Sequence, residues 1–186
     1  MDFTTETFVN KTLLGLFLLA VSFCASPAFA QTNTMGAPGC GAPDAKFDVK
    51  TDKTRHQLAP PDAGKARVIF IEDDSNFESL PKPTTRAGLD GNWVGATHGN
   101  SYLYFSVDPG EHHLCASWQS MVVIGQGHEA AAAHFTAEAG GVYYFRVLDI
   151  LHREHGPARI EFAPLDSDEG QLLASKFSLS TFHLKK

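Results

Sequence analysis

Strict alternation of apolar and polar side chains is the feature that most constrains this chain. Leu103, Phe105 and Val107 are separated by single residues, and so are Ile160 and Phe162. Successive side chains of a β-strand point to opposite faces, so this period of two predicts strands that bury one face. The chain is therefore expected to fold mainly into β-sheet around one interior.

Turn signals divide the strand patterns at near-even spacing. Asp90-Gly91 lies between two β-prone runs and predicts a tight hairpin, and Pro109-Gly110 and Gly140-Gly141 predict two further turns. Short strands separated in this way are typical of a β-sandwich or a partly open barrel. We predict a mainly β fold, an antiparallel β-sandwich (or partly open barrel) of about seven or eight strands with one short C-terminal helix.

The C-terminal helix is predicted from a capping pattern. Asp166 is followed three residues later by Glu169, as in a capping box. The helix is expected over residues 167–176, with Leu172, Leu173 and Phe177 facing the sheet. Gly170 lies inside it, and an interior glycine is expected to weaken a helix by about 1 kcal/mol relative to alanine.

The first 30 residues have the features of a secretory signal peptide. Lys11 precedes a near-continuous apolar run, and Ala28-Phe29-Ala30 places small residues before the expected cleavage point. The run is shorter than the roughly 20 residues that span a bilayer, which favours cleavage over a retained anchor. A lipoprotein with lipid on Cys24 is the alternative, although Phe23 occupies a position where that processing requires a small residue.

The predicted organisation has three parts. Residues 1–30 form the signal peptide, residues 31–63 a linker and N-terminal extension, and residues 64–186 the β domain. Within the extension, residues 46–56 are expected to hold a short strand or helix. The predicted location is periplasmic or secreted, with no membrane span once the signal is removed.

Two cysteines remain after cleavage, Cys40 and Cys115. In an exported protein such a pair is expected to form a disulfide, the alternative being two unpaired thiols. If Leu114 and Trp118 face the core, Cys115 lies on the outer face of its strand. The segment that carries Cys40 is then expected to cross that outer face.

The charge balance excludes some partners. The chain carries 15 basic and 21 acidic residues, for a formal net charge of −6. Binding to nucleic acid irrespective of sequence needs a basic face, and docking on anionic lipid needs a basic patch. The predicted partner is an envelope protein or a glycan, with no nucleic acid and no cofactor.

The sequence predicts a non-catalytic binding or structural β-sandwich module of the cell envelope, and histidines are the candidates for an alternative, catalytic function. Adjacent strand residues such as His112 and His113 point to opposite faces and cannot chelate one ion. The His152-Arg153-Glu154-His155 segment lacks the spacing of known zinc-protease motifs. The alternative is a metal-dependent or hydrolytic enzyme that uses His113, His128 or the pair His152 and His155. No catalytic residue and no metal site is predicted.

Aromatic side chains supply the candidate ligand-binding residues. Tyr102 and Tyr104 fall on the strand face opposite Leu103, and we predict that they form a platform for a sugar or a peptide together with Trp93. The alternative is that a helix or the N-terminal tail covers them.

Four segments together resemble a known family. They are Gly64-Lys65-Ala66-Arg67-Val68, Asp90-Gly91-Asn92-Trp93-Val94-Gly95, Val107-Asp108-Pro109-Gly110-Glu111-His112 and Ala139-Gly140-Gly141-Val142-Tyr143-Tyr144-Phe145-Arg146-Val147. In this order they resemble the DUF2846 family of exported bacterial proteins, over roughly residues 64–165. The turn-forming pieces are also similar to PEGA-type surface domains. The resemblance implies a small exported β-sandwich whose family function is unknown, and it carries over no catalytic residues.

Overall fold

The computed structural model describes residues 39–54, 58, 60–119, 129–152 and 155–186. The predicted signal peptide, the lipoprotein alternative at Cys24 and the candidate His128 lie outside these residues. The strands are β1 (Phe47–Asp52), β2 (Ala66–Phe77), β3 (Thr84–Leu89), β4 (Asn92–His98), β5 (Ser101–Val107), β6 (Gly110–Trp118), β7 (Ala130–Ala137), β8 (Val142–His152), β9 (His155–Leu165) and β10 (Ser178–Leu184), with the helix α1 (Ser167–Lys176) before the last strand.

The strands form two sheets. Sheet 1 has the order β1-β10-β5-β2-β8-β9, and sheet 2 has the order β4-β3-β6-β7. The predicted mainly β sandwich with one short helix is confirmed. Two details differ from the prediction. The described residues form ten strands instead of seven or eight, and β2–β8 and β10–β5 pair in parallel, so sheet 1 is mixed.

The interior lies between the two sheets, as the alternation predicts. Phe70, Leu103 and Val147 from sheet 1 pack with Ala87 and Ala116 from sheet 2. All five are at most 2% exposed. Burial of apolar surface stabilises the fold by about 25 cal/mol for each Å² removed from water, so this shared interior holds the two sheets together.

The predicted hairpin at Asp90-Gly91 is confirmed. The two residues join β3 to β4, with φ angles of 49° and 82°. Positive φ at both central residues matches the twist of a two-residue hairpin, and aspartate and glycine tolerate it. The turn before Gly110 has a different role, because it links β5 in sheet 1 to β6 in sheet 2.

Helix α1 begins where the capping pattern predicts. The Asp166 carboxylate accepts hydrogen bonds from the backbone N–H groups of Asp168 and Glu169, each at 2.9 Å. The Glu169 side chain accepts a hydrogen bond from Arg146 at 3.0 Å, which fastens the helix to β8.

The face that α1 buries differs from the prediction at one residue. Leu173 and Phe177 pack against sheet 1 as expected, but Leu172 is 51% exposed. Gly170 is buried instead, and a Cβ atom there would clash with the ring of Tyr144. The glycine therefore allows close approach of the helix to the sheet, which offsets its low helix propensity.

An N-terminal strap, residues 39–45, crosses the outer face of sheet 2. The predicted disulfide between Cys40 and Cys115 is present, and it attaches the strap to β6. A Cβ atom on Gly88 would clash with the Gly39 carbonyl oxygen, so the strap lies directly on the sheet. This confirms that the Cys40 segment covers the outer face that carries Cys115.

Arg86 and Trp93 hold the rest of the strap. The Arg86 guanidinium donates hydrogen bonds to the carbonyl oxygens of Pro43 and Ala45, at 2.9 and 3.0 Å. It also stacks 4.4 Å from the Trp93 ring centroid, and the Trp93 indole N–H donates to the Ala42 carbonyl at 2.7 Å. Strand β1 follows the strap and pairs with β10, so the segment predicted as a linker and extension supplies an edge strand of sheet 1.

Removing the disulfide is expected to destabilise the domain without unfolding the sheets. The bridge closes a loop between positions 75 residues apart. We expect Cys40→Ser to lower the unfolding free energy by roughly 2–4 kcal/mol in urea denaturation. Reduction of the wild type should have the same effect, and reduction of the variant should have none. Two thiols that react with an alkylating agent in unreduced, unfolded protein would contradict the pairing.

Gly170→Ala tests whether close packing outweighs helix propensity. Propensity alone would stabilise α1 by about 1 kcal/mol, whereas the clash with Tyr144 should make the substitution destabilising. Ser175→Ala, at an exposed position of the same helix, is the matched control and should be neutral or stabilising. A higher melting temperature for Gly170→Ala would show that the helix does not lie this close to β8.

Candidate functional site

A cleft of about 400 Å³ opens on the outer face of sheet 1, on the side away from sheet 2. Its walls are helix α1 and the segment before β2, and its floor is formed by β2 and β8. The lining residues are Leu58, Pro60, Pro61, Arg67, Ile69, Val142, Tyr144, Gln171, Ala174 and Ser175. Pockets of about 300–1,000 Å³ with mostly apolar walls and a few polar groups are typical of small-molecule sites.

The cleft exists because α1 covers only part of this face. Arg67, Ile69 and Ile71 alternate along the outer face of β2, and Ile69 pairs with Tyr144 on β8. The helix packs over Ile71 and over part of Ile69 and Tyr144. It leaves uncovered the end of the sheet where Arg67 pairs with Val142.

Arg67 places a positive charge at this uncovered end. Its side chain is only 6% exposed, and its guanidinium lies 5.0 Å from the centroid of the Tyr104 ring. The guanidinium forms an ion pair with the Asp62 carboxylate at an N–O distance of 3.6 Å. This distance exceeds the usual range of an N–H···O hydrogen bond, so Asp62 balances the charge without a close contact.

The three predicted ligand-binding aromatics are not brought together. Tyr102 is fully buried beneath α1, in the cluster that contains Ile71 and Ala174. Tyr104, two residues along the same strand, is 37% exposed and contacts Arg67 beside the cleft. Trp93 belongs to sheet 2, where it contacts the strap. The alternative of a covering helix or tail therefore applies to Tyr102 and Trp93, and Tyr104 alone remains next to the cleft.

A second feature is a pair of acidic side chains buried between the sheets. Glu72 on β2 and Asp149 on β8 are both fully buried. The Thr85 hydroxyl donates to Glu72 Oε1 at 3.0 Å, and the Trp118 indole N–H donates to Asp149 Oδ1 at 2.7 Å. Since Thr85 and Trp118 belong to sheet 2, the acidic pair links the two sheets by hydrogen bonds.

The two carboxyl groups also interact with each other. Burial, followed by the charge of Asp149, raises the pKa of Glu72 well above its usual value. Burial is also the main cause that raises the pKa of Asp149, to about 7. The remaining oxygens, Glu72 Oε2 and Asp149 Oδ2, have no donor among the described residues. One proton held between the two carboxyl groups satisfies both oxygens, because two adjacent buried carboxylates strongly disfavour double ionisation.

Among the described residues, the candidate histidines fall in two separate places, with His113 on β6 and His152 opposite His155 where β8 pairs with β9. His113 is exposed on β6 opposite His134, and His152 pairs with Glu78 at 3.2 Å. His112 bridges the Asp90 carboxylate and the Asp108 carbonyl oxygen, both at 2.7 Å. Burial alone would lower the pKa of His112, but these two hydrogen bonds raise it above its usual value. In the described part of the chain, no three His, Cys, Asp or Glu residues are grouped so as to hold a metal ion.

Sequence patterns did not identify either feature. Strand β2 continues through the acidic residues Glu72, Asp73 and Asp74 to Phe77, and all three are buried. Lys82 compensates part of this charge, 3.6 Å from the Asp74 carboxylate. Arg67 breaks the apolar run of β2 in the sequence, and that interruption was the available signal for the cleft.

The buried pair predicts stability that decreases as the pH rises. A carboxyl group with a raised pKa favours the folded state while it is protonated, and this contribution is lost as the pH passes from about 4 through the folded-state pKa near 7. We expect the unfolding free energy, measured in urea at pH 5, 6.5 and 8, to fall by on the order of 3 kcal/mol more in the wild type than in Asp149→Asn. The amide of this variant donates to Glu72 in place of the shared proton.

Glu78→Gln is the control for this experiment, since Glu78 lies at the surface. It should keep the pH dependence of the wild type. Parallel pH profiles for the wild type and Asp149→Asn would show that Asp149 does not titrate in the folded protein within this range.

Comparisons with known proteins found no relative with which this cleft or the buried acidic pair can be compared. No family model matches the chain, and no curated protein and no solved structure is significantly similar to it. The resemblance to the DUF2846 family therefore remains a prediction from the sequence.

Proposed function

We propose that this protein is an exported, non-catalytic binding module that takes its ligand in the cleft on the outer face of sheet 1. The observation that carries this proposal is the cleft itself, with a nearly buried Arg67 among apolar walls. A few polar groups in an otherwise apolar concavity give a ligand both affinity and a defined orientation.

The disulfide supports export. A bridge between Cys40 and Cys115 persists in oxidising compartments and is rare in the cytosol. It agrees with the signal peptide predicted for residues 1–30 and with action in the periplasm or outside the cell. No helix among the described residues is long and apolar enough to cross a membrane.

The composition of the cleft supports binding in preference to catalysis. Nucleophilic catalysis needs a hydroxyl or thiol within hydrogen-bond reach of a base. Ser175 is the hydroxyl-bearing aliphatic residue in the lining, and its Oγ donates to the Leu172 carbonyl within the same helix. The described lining residues include no histidine and no carboxylate to act as that base.

A fragment screen by nitrogen-15 NMR tests this function. We expect small molecules that bind to shift the amide signals of Val142, Gln171 and Ser175, which line the cleft. Gln171→Trp places a large side chain on the helix wall and should abolish these shifts. Leu172→Trp is the matched control, since Leu172 is exposed on the same helix and is not part of the lining.

The outcome decides between the cleft and other surfaces. The proposal is supported if the shifts cluster at the cleft in the wild type, persist in Leu172→Trp and disappear in Gln171→Trp. Shifts clustered elsewhere, or no binder from a diverse library, would overturn it.

A further inference from the structure

We propose that His113 and His134 form a two-histidine site for a divalent transition-metal cation, with Cu²⁺ and Zn²⁺ as the expected occupants. The two residues belong to sheet 2, whereas the cleft lies on sheet 1. The site is independent of the proposed function, because neither histidine lines the cleft. The proposal follows from the register of β6 and β7 and from the exposure of both side chains.

The strand register places the two histidines close together. His113 and His134 lie directly opposite each other on antiparallel strands. The backbone of His113 points away from β7, because its N–H donates to Asp90 Oδ1 at 2.8 Å and its C=O accepts from the Asp90 N–H at 2.9 Å. The histidines are therefore a non-hydrogen-bonded pair, in which opposed side chains are closest and the Cβ atoms are about 4.5–5.5 Å apart. By side-chain rotation, both imidazoles can reach one cation at the usual metal–nitrogen distance of about 2.0–2.1 Å.

Both side chains project from the outer face of sheet 2 into solvent. Opposed residues of antiparallel strands share a face, and Cys115, two residues beyond His113, marks the outer face by its disulfide to the strap. Both histidines are exposed, and neither ring forms a hydrogen bond or an ion pair among the described residues. Their ring nitrogens are therefore available to a cation, whereas both ring nitrogens of His112 are occupied by hydrogen bonds.

The backbone that carries the two histidines is fixed before a cation binds. Strand β6 lies between β3 and β7, and the disulfide attaches it to the strap at Cys115. Strand β7 pairs with β6 along the whole of Ala130–Ala137. Binding of a cation then needs to order only two side chains, which keeps its entropic cost low.

The imidazole ligands determine the class of cation. Neutral imidazole suits Zn²⁺, Cu²⁺ and Ni²⁺, whereas Mg²⁺ and Ca²⁺ take mainly oxygen ligands. Water would complete the coordination, since no third His, Cys, Asp or Glu is grouped with the pair in the described part of the chain. Among these cations Cu²⁺ should bind most tightly, as it does at most nitrogen sites. Glu111, two residues before His113 on the same face, adds a negative charge that attracts a cation.

The test titrates metal ions into protein purified without a histidine tag. Nitrogen-15 NMR at pH 7.5 should show that Zn²⁺ shifts the amide and imidazole signals of His113 and His134, whereas Mg²⁺ at the same concentration should shift neither. A metal-bound imidazole has lost its proton, so the Zn²⁺ shifts should disappear at pH 5. Calorimetry should give a higher affinity for Cu²⁺ than for Zn²⁺.

Single variants test whether the two histidines act together. His113→Gln and His134→Gln should each lower the Cu²⁺ affinity at least about tenfold, because one imidazole lacks the second ligand held beside it. Both variants are expected to fold, since both side chains are exposed. His183→Gln, which removes an exposed histidine from β10, is the matched control and should keep the wild-type affinity. Zn²⁺ should raise the melting temperature of the wild type but of neither single variant, because the cation joins β7 to β6.

Three results would overturn the proposal. Equal losses of affinity in His183→Gln and His134→Gln would show scattered binding to surface histidines. A loss of affinity in only one of the variants His113→Gln and His134→Gln would show that the opposed residues do not share a cation. Zn²⁺ shifts that leave out the signals of both histidines would place any bound cation elsewhere. None of these results affects the proposed function, which is judged by the signals of the cleft residues.

Discussion

From Ala66 to Asp74, strand β2 is buried on both faces, and the rest of the structure is arranged around it. Its inner face contributes Val68 and Phe70 to the core between the sheets, and its outer face contributes Ile69 and Ile71 to the cluster beneath α1. A strand at the centre of a sheet that buries both faces must be covered by other elements on each side. Sheet 2 provides one cover, and helix α1 provides the other.

Sheet 2 and helix α1 cover different shares of β2, and the incomplete cover by α1 creates the candidate site. Sheet 2 packs over the inner face of β2 at Val68 and Phe70, whereas α1, a helix of ten residues about 15 Å long, packs over only part of the outer face. The uncovered end holds Arg67, the one charged side chain that alternates with Ile69 and Ile71. The apolar floor and the helix wall of the cleft follow from this partial cover, and the segment before β2 supplies Asp62, which forms an ion pair with the buried Arg67.

Polar interactions help to fix how sheet 1 packs against sheet 2. Glu72 and Asp149 connect sheet 1 to Thr85 and Trp118 of sheet 2, and hydrogen bonds fix the geometry of a junction more narrowly than apolar contact does. Burial of the carboxyl pair costs free energy unless the two share a proton, so the junction is sensitive to pH. On the other side of sheet 2, the strap is held by the disulfide and by Arg86. The disulfide and the hydrogen bonds of Arg86 both join segments that are distant in sequence.

Local patterns predicted most of the strands, the Asp90-Gly91 hairpin and the cap of α1 at Asp166, because alternation, turn chemistry and capping depend on neighbours within a few residues. Alternation also placed Cys115 on an outer face. The tertiary structure alone decided that Tyr102 is covered, that Gly170 is needed against Tyr144, and that Arg67 and Glu72 have buried environments. Burial and partners depend on which distant elements pack together, and that information is not contained in the spacing of residues along one strand.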